Sequence, residues 1–194
     1  MANKKSLTGF TLLELLIVIS ILAILSTVVV LVLNPAEYLK QARDSQRISD
    51  LATLNNALAL YLSTASTISL GDCTSGWYYC STATAGYLPG TTAVACDAYS
   101  TSTAVGTGGW IPVNFSDIPG GSPVSRKPID PTNSATYKYG YGCNSSSQYE
   151  LDAKMESDKY KSGGTGDIET NNKDGGNNNG VYEVGTDLTI IPAS

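Results

Sequence analysis

Histidine is absent from this 194-residue chain, so any arrangement in which an imidazole activates a serine or cysteine nucleophile is excluded. Charge is also scarce, at 15 % of residues with a net charge of -5. No basic cluster follows the first few residues, which argues against a dedicated nucleic-acid surface. The glycines at 106, 108 and 109 precede no helical pattern and so do not form a phosphate-binding loop. We therefore expect neither an enzyme nor a nucleic-acid-binding protein.

Charge is scarcest near the N-terminus, where residues 10–33 contain Glu14 as the only charged side chain. A helix of this length would extend about 36 Å, enough to cross a bilayer with some tilt. A carboxylate in the middle of a bilayer costs about 2.5–3.5 kcal/mol. The sequence therefore predicts a function in which that cost is offset.

The segment before the apolar run is short and basic, with Lys4 and Lys5, and it ends at Gly9. An ordinary secretory signal has an apolar core of about 7–15 residues and a small-residue cleavage site after it. This run is longer, and residues 31–35 offer no such site. An uncleaved signal anchor is the other alternative, but it gives no reason for Glu14.

A basic leader, Gly9, Phe10 and a Leu-rich helix with Glu14 in its fifth place resemble the processing site of the type IV pilin family. That family includes pilins and the pseudopilins of type II secretion. The resemblance implies cleavage after Gly9 by prepilin peptidase and N-methylation of Phe10. It also implies that Glu14 is the assembly residue, pairing with the freed amine of a neighbouring subunit. Since an unpaired charge in an apolar core is penalised, such a pair would set the register between subunits.

The resemblance also implies partners and a location. The partners are other copies of the chain and related pilin-like subunits, the prepilin peptidase/methylase, an inner-membrane assembly platform and, before assembly, membrane lipid. We expect a single-pass membrane protein with a cytoplasmic N-terminus and an extracytoplasmic head, in a filament at the cell surface or in the periplasm.

Four cysteines support an extracytoplasmic head, because they are even in number and lack C-x-x-C spacing: Cys73, Cys80, Cys96 and Cys143. Two disulfides in an oxidising compartment are the better interpretation. Free thiols in a cytosolic domain are the alternative, and the sequence leaves all three pairings open.

The pattern divides the chain into a cleaved leader (1–9), a transmembrane helix (10–33), an amphipathic continuation of it (34–62) and a head (63–194). Asn34-Pro35 predicts a kink between the two helical parts. Apolar residues recur at helical spacing in the second part, at Leu51, Leu54 and Leu58. Its polar positions include Arg47 and Asp50, whose spacing allows a weak local ion pair.

Alternation of period two predicts an antiparallel hairpin in the head, through Tyr137, Tyr139, Tyr141 and then Tyr149, Leu151, Ala153, Met155. Residues 181–184 predict a third short strand. Residues 67–123 indicate a long, irregular, disulfide-braced connection with one or two short strands. With the leucine stripe covering the apolar face of the strands, we expect an α+β, pilin-like fold, in which a long N-terminal helix packs on a small antiparallel sheet.

Residues 163–185 are rich in glycine and in oxygen-bearing side chains, which suit calcium. This segment resembles the calcium loop of major type II pseudopilins. The candidate ligands are Asp167, Glu169, Asp174 and Asn177, with calcium as a candidate cofactor. Because the spacing fits no EF-hand, a solvated turn region is the alternative.

Together these patterns predict a structural subunit of an extracytoplasmic helical filament. The Asp130-Pro131 turn and the Tyr149-Glu150-Leu151 strand resemble those of type II secretion pseudopilins, which favours protein secretion. A type IV pilin for adhesion, motility or DNA uptake is the alternative. A monomeric domain that retains residues 1–9, and a surface on which the 12 tyrosines stack on bases, are further alternatives.

Overall fold

The computed structural model of the protein describes residues 9–74 and 76–193 and contains two compact units. The first unit ends at Tyr38 and the second begins at Leu39. Helix α1 spans Leu12–Leu33 and helix α2 spans Pro35–Thr64. Between them the backbone of Asn34 is left-handed, with φ 39°. Proline suits the first position of α2, because it has no amide hydrogen to leave unpaired there. The predicted disruption at Asn34-Pro35 is thus the boundary between two helices.

The second unit contains a five-stranded sheet in the order β2-β1-β3-β4-β5. Its strands are β1 (Tyr78–Cys80), β2 (Ala98–Tyr99), β3 (Tyr139–Cys143), β4 (Tyr149–Ala153) and β5 (Tyr182–Gly185). All neighbouring pairs are antiparallel except β1 and β2. A four-residue helix α3 (Asn171–Asp174) precedes β5. The predicted hairpin, third strand and α+β class are confirmed, and the strands of the long connection extend the sheet to five.

One face of the sheet packs against α2. Leu51, Leu54 and Leu58 are fully buried and form one apolar cluster with side chains from β3 and β4, including Tyr141 and Leu151. Burying one leucine side chain away from water contributes roughly 1.5–3 kcal/mol to the stability of the fold. The leucine stripe therefore covers the sheet as its spacing predicts.

The opposite face of the sheet is covered as well. A Cβ at Gly140 would lie 2.9 Å from Leu88, and one at Gly142 would lie 3.1 Å from both Ile190 and Ile191. The long connection and the C-terminal segment therefore approach this face closely at the glycines of β3. All residues of β3 and β4 are buried as a result, whereas alternation in an antiparallel sheet usually indicates one solvated face.

Two disulfides brace the head, Cys73–Cys143 and Cys80–Cys96. The first joins the start of the long connection to the end of β3. The second joins β1 to a point sixteen residues further along the connection. The prediction of two disulfides is confirmed, and the structure selects one of the three possible pairings.

A buried ion network fastens α2 to the head. The Arg47 side chain is fully buried, with Nε 2.7 Å from Asp130 Oδ2 and Nη1 2.7 Å from Asp44 Oδ1. The Asp44 carboxylate also accepts the backbone amides of Glu156 at 2.9 Å and Ser157 at 2.8 Å. These contacts hold residues 156–157, which follow β4, and Asp130 against the part of α2 around Asp44 and Arg47.

The predicted weak ion pair between Arg47 and Asp50 is wrong. Asp50 instead accepts hydrogen bonds from the Tyr139 hydroxyl at 2.8 Å and from Gln46 Nε2 at 2.7 Å. The reason is that this side of α2 packs against protein instead of facing solvent, so Arg47 finds its partners on distant segments.

Candidate processing and assembly site

Gly9 and Phe10 lie immediately before α1 and are exposed. The Phe10 side chain is 84 % exposed, and no other part of the chain within residues 9–74 and 76–193 lies within 4 Å of the position where a Cβ on Gly9 would stand. The backbone at Gly9 is therefore open to approach by another protein.

Thr11 and Glu14 form a capping box at the start of α1. The Glu14 amide donates to Thr11 Oγ1 at 3.2 Å, while Glu14 Oε2 accepts from the Thr11 amide at 2.9 Å and the Thr11 hydroxyl at 2.8 Å. Such a box satisfies amide groups that the first helical turn leaves unpaired. It also holds the Glu14 carboxylate back towards the N-terminal end of the helix, one turn from Phe10.

Helix α1 is long and apolar enough to cross a membrane over Leu12–Val30, and none of that stretch is buried within the chain. Hydroxyl side chains in this helix form hydrogen bonds within the helix itself. The hydroxyls of Ser20, Ser26 and Thr27 donate to carbonyls one turn earlier at 2.7–2.9 Å. An exposed apolar surface of this extent needs lipid or other apolar helices around it, which fits a single-pass membrane anchor.

Two of the four predicted calcium ligands organise their own loop. Asp167 accepts a hydrogen bond from the Thr170 hydroxyl. It also accepts the backbone amides of Gly163, Glu169 and Thr170, at distances of 2.9–3.1 Å. The Thr170 hydroxyl, followed by these amides, lowers the pKa of Asp167 to about 2. Glu169 accepts the amides of Met155 at 2.6 Å and Ser162 at 3.0 Å. Both carboxylates are thus directed at backbone amides.

The other two predicted ligands border Glu183. Asp174 accepts the amides of Gly176 at 3.0 Å and Glu183 at 3.1 Å. The backbone amide of Asn177 donates a hydrogen bond to Glu183 Oε1 at 3.2 Å, and its side-chain Nδ2 donates to the carbonyl of Ile191 at 3.1 Å.

Across residues 9–74 and 76–193, the group of acidic side chains that could converge on an ion is Glu150, Asp152 and Glu183, whose ligand oxygens lie within 4.8 Å of one another. These residues are not among the ligands predicted from the sequence, because alternation along β4 predicts that Glu150 and Asp152 face solvent. Burial, together with the neighbouring carboxylates, raises the pKa of Asp152 well above its usual value. Calcium at the four residues predicted from the sequence stays a prediction.

A surface groove with a volume of about 620 Å³ lies between α2 and residues 123–129. Lys127 is its most unusual lining residue, since its ammonium is buried and donates to the carbonyls of Gly106, Ile111 and Val113 at 2.6–2.7 Å. Burial lowers the pKa of Lys127 to about 8. The three carbonyls give this lysine a structural role in closing the long connection.

Comparison with known protein families identifies the N-terminal segment. Residues 5–30 match the prokaryotic N-terminal methylation motif, the class III signal peptide of type IV pilin-like proteins. The matched stretch includes Gly9, Phe10 and Glu14. Comparisons with the curated proteins and with the solved structures found no match to the chain. The resemblance inferred from the leader and the apolar helix is thereby confirmed for this segment, and the motif supports a type IV pilin-like filament subunit.

Proposed function

We propose that this chain, which carries the N-terminal methylation motif at residues 5–30, is a structural subunit of an extracytoplasmic helical filament and not an enzyme. The observation that carries the proposal is the position of the motif, at the start of an apolar helix that the rest of the chain leaves exposed. A monomer gains nothing from such a helix outside a membrane. A bundle of identical helices buries it.

Processing and assembly follow from the residues at the start of α1. Cleavage after Gly9 converts the Phe10 nitrogen from an amide into an amine, which is then N-methylated. Within one subunit this cation lies about one turn from Glu14, whose carboxylate the capping box directs towards it. In the bundle, the amine of one subunit meets Glu14 of a neighbour, and only the stagger that pairs them avoids a buried unpaired charge.

The filament is most simply a type II secretion-like pseudopilus. The Asp130-Pro131 turn before the tyrosine-rich strand β3, and the Tyr149-Glu150-Leu151 sequence in β4, support this assignment by resemblance. A type IV pilus for adhesion, motility or DNA uptake has the same N-terminal requirements. In the native host, loss of the chain should block export of a secreted protein if it is a pseudopilin. Intact export with impaired adhesion, motility or DNA uptake would assign it to a pilus instead.

Substitution of Gly9 tests the processing step. We expect Gly9→Val to block cleavage, because a branched side chain fills the open space at Gly9 that lets a peptidase reach the backbone. The uncut chain should accumulate in the membrane and be absent from filaments. Gel mobility and the mass of the N-terminal peptide measure the outcome.

Thr27→Ala is the matched control, since Thr27 lies in α1, well beyond the cleavage position, and its hydroxyl donates to the carbonyl of Ala23 in the same helix at 2.9 Å. This variant should be cut like the wild type. Normal removal of residues 1–9 from the Gly9→Val chain would contradict the assigned cleavage position.

A further inference from the structure

Three acidic side chains meet on the face of the sheet that points away from α2. Glu150 and Asp152 lie two residues apart on β4, and Glu183 lies opposite Asp152 on β5. Because side chains alternate along a strand, all three project to the same face. Their nearest carboxylate oxygens lie within 4.8 Å of one another.

All three side chains are removed from solvent. Glu150 and Asp152 are 0 % exposed and Glu183 is 2 % exposed. Within residues 9–74 and 76–193, both oxygens of Asp152 and Oε1 of Glu150 accept no hydrogen bond from an amide, hydroxyl or cationic group. A buried carboxylate that accepts no hydrogen bond from a donor group, such as Asp152, is strongly destabilising unless a cation or a proton neutralises it.

No ion pair with lysine or arginine involves these three acids within residues 9–74 and 76–193. The hydrogen bonds that do reach them come from neutral backbone amides: Ile191 to Glu150 Oε2 at 2.7 Å, and Asn177 and Asn178 to the two oxygens of Glu183 at 3.2 Å and 3.0 Å. These bonds orient two of the carboxylates and leave Asp152 between them without compensation.

Among the residues that the structure describes, two further buried polar atoms in the segment covering these acids lack a hydrogen-bond partner, Oδ1 of Asn177 and Nδ2 of Asn178. The amide and Nδ2 of Asn177, by contrast, bind Glu183 and Ile191. The chain also comes unusually close here, since a Cβ on Gly176 would lie 2.0 Å from Glu183 Oε2. Residues 176–178 are thus pressed against the carboxylates.

We propose that Glu150, Asp152 and Glu183 bind a hard divalent cation, with calcium as the favoured ion. Carboxylate and amide oxygens are the ligands that such ions prefer. An ion about 2.3–2.6 Å from each ligand allows oxygens to be separated by roughly up to 5 Å, as these are. Calcium fits better than magnesium, because magnesium demands near-octahedral geometry and retains several waters, whereas these three side chains are almost completely removed from solvent.

The bound ion fastens the C-terminal segment to the sheet. Glu150 binds Ile191, and Glu183 binds Asn177 and Asn178, so the ion's ligands belong to the strands and touch the segments that cover them. Without the ion, repulsion among three carboxylates favours release of the segments on either side of β5, residues 174–181 and 186–191, from this face. The site is separate from the N-terminal machinery, so the proposal does not depend on the filament function.

Calcium binding to the full-length chain in detergent tests the proposal. After treatment with EDTA, calorimetry should detect one calcium ion per chain, and calcium at about 100 times its dissociation constant should raise Tm by roughly 5–10 °C. Asp152→Asn should abolish both effects. Its Tm in EDTA should equal or exceed that of the wild type, because the substitution removes one uncompensated buried charge at constant shape.

Asp167→Asn is the matched control, since Asp167 is a carboxylate of the neighbouring loop whose oxygens bind backbone amides. It should keep the full calcium-induced rise in Tm. Loss of the response in Asp167→Asn with retention in Asp152→Asn would move the site to the loop and overturn the proposal. Absence of calcium, magnesium and manganese binding by the wild type would also overturn it, leaving protons as the ions that neutralise the three acids.

Discussion

Glu14→Gln should leave membrane insertion of the chain intact but reduce its incorporation into filaments by about 100-fold or more. The amide has the shape of the carboxylate without its charge. In a mixed filament the amine of the neighbouring subunit then lies in an apolar bundle without an anion. Removing one partner of a buried ion pair costs roughly 3–5 kcal/mol, and each 1.4 kcal/mol changes an equilibrium about tenfold.

The measurement is the ratio of tagged variant to untagged wild type in sheared filaments, divided by the same ratio in membranes. Thr27→Ala serves as the control for a polar substitution in the same helix and should be incorporated normally. Insertion of Glu14→Gln should equal or exceed that of the wild type, because the charge is what makes insertion costly. Equal incorporation of Glu14→Gln and wild type would refute the role of Glu14 in assembly.

Arg47→Ala should lower the free energy of unfolding of the head by roughly 3–5 kcal/mol, with a fall in Tm of about 10 °C. The guanidinium is the shared partner of Asp44, which it binds at 2.7 Å, and of Asp130, which it binds at 2.7 Å and 3.0 Å. Its loss leaves two carboxylates in a site from which solvent is excluded. The full-length chain in detergent, followed by circular dichroism on heating, gives the Tm.

Arg43→Ala is the matched control one turn earlier on α2. Arg43 binds Glu156 through Nη2 at 2.5 Å, but its side chain is 34 % exposed, so its loss should cost about 1 kcal/mol or less. An Arg47→Ala chain as stable as Arg43→Ala would show that the buried network does not fasten α2 to the head.

The N-terminal methylation motif and most of the fold could be predicted from the sequence, because they rest on local patterns. Neighbouring residues alone show the apolar run with Glu14, the leucine spacing of α2 and the period-two alternation of β3 and β4. The disulfide pairing could not be predicted, since it depends on which segments of the long connection lie beside β1 and β3.

The burial of charged residues was the main feature that could not be predicted from the sequence. Arg47 occupies a polar position of an amphipathic helix, and its partner Asp130 is 83 residues away. Glu150 and Asp152 occupy the face of β4 that alternation predicts to be solvated, yet irregular segments without any periodicity cover that face. One pattern in the sequence could have indicated the cluster: Glu150 and Asp152 alternate on one predicted strand, and Glu183 lies on the next predicted strand.

The mass of the N-terminal peptide, from protein isolated from the native host with filaments intact, tests the central claim most directly. The account predicts a peptide that begins at Phe10 and carries an added methyl group. A peptide that begins at Met1 without methylation, from a chain dispersed as a monomer, would contradict it.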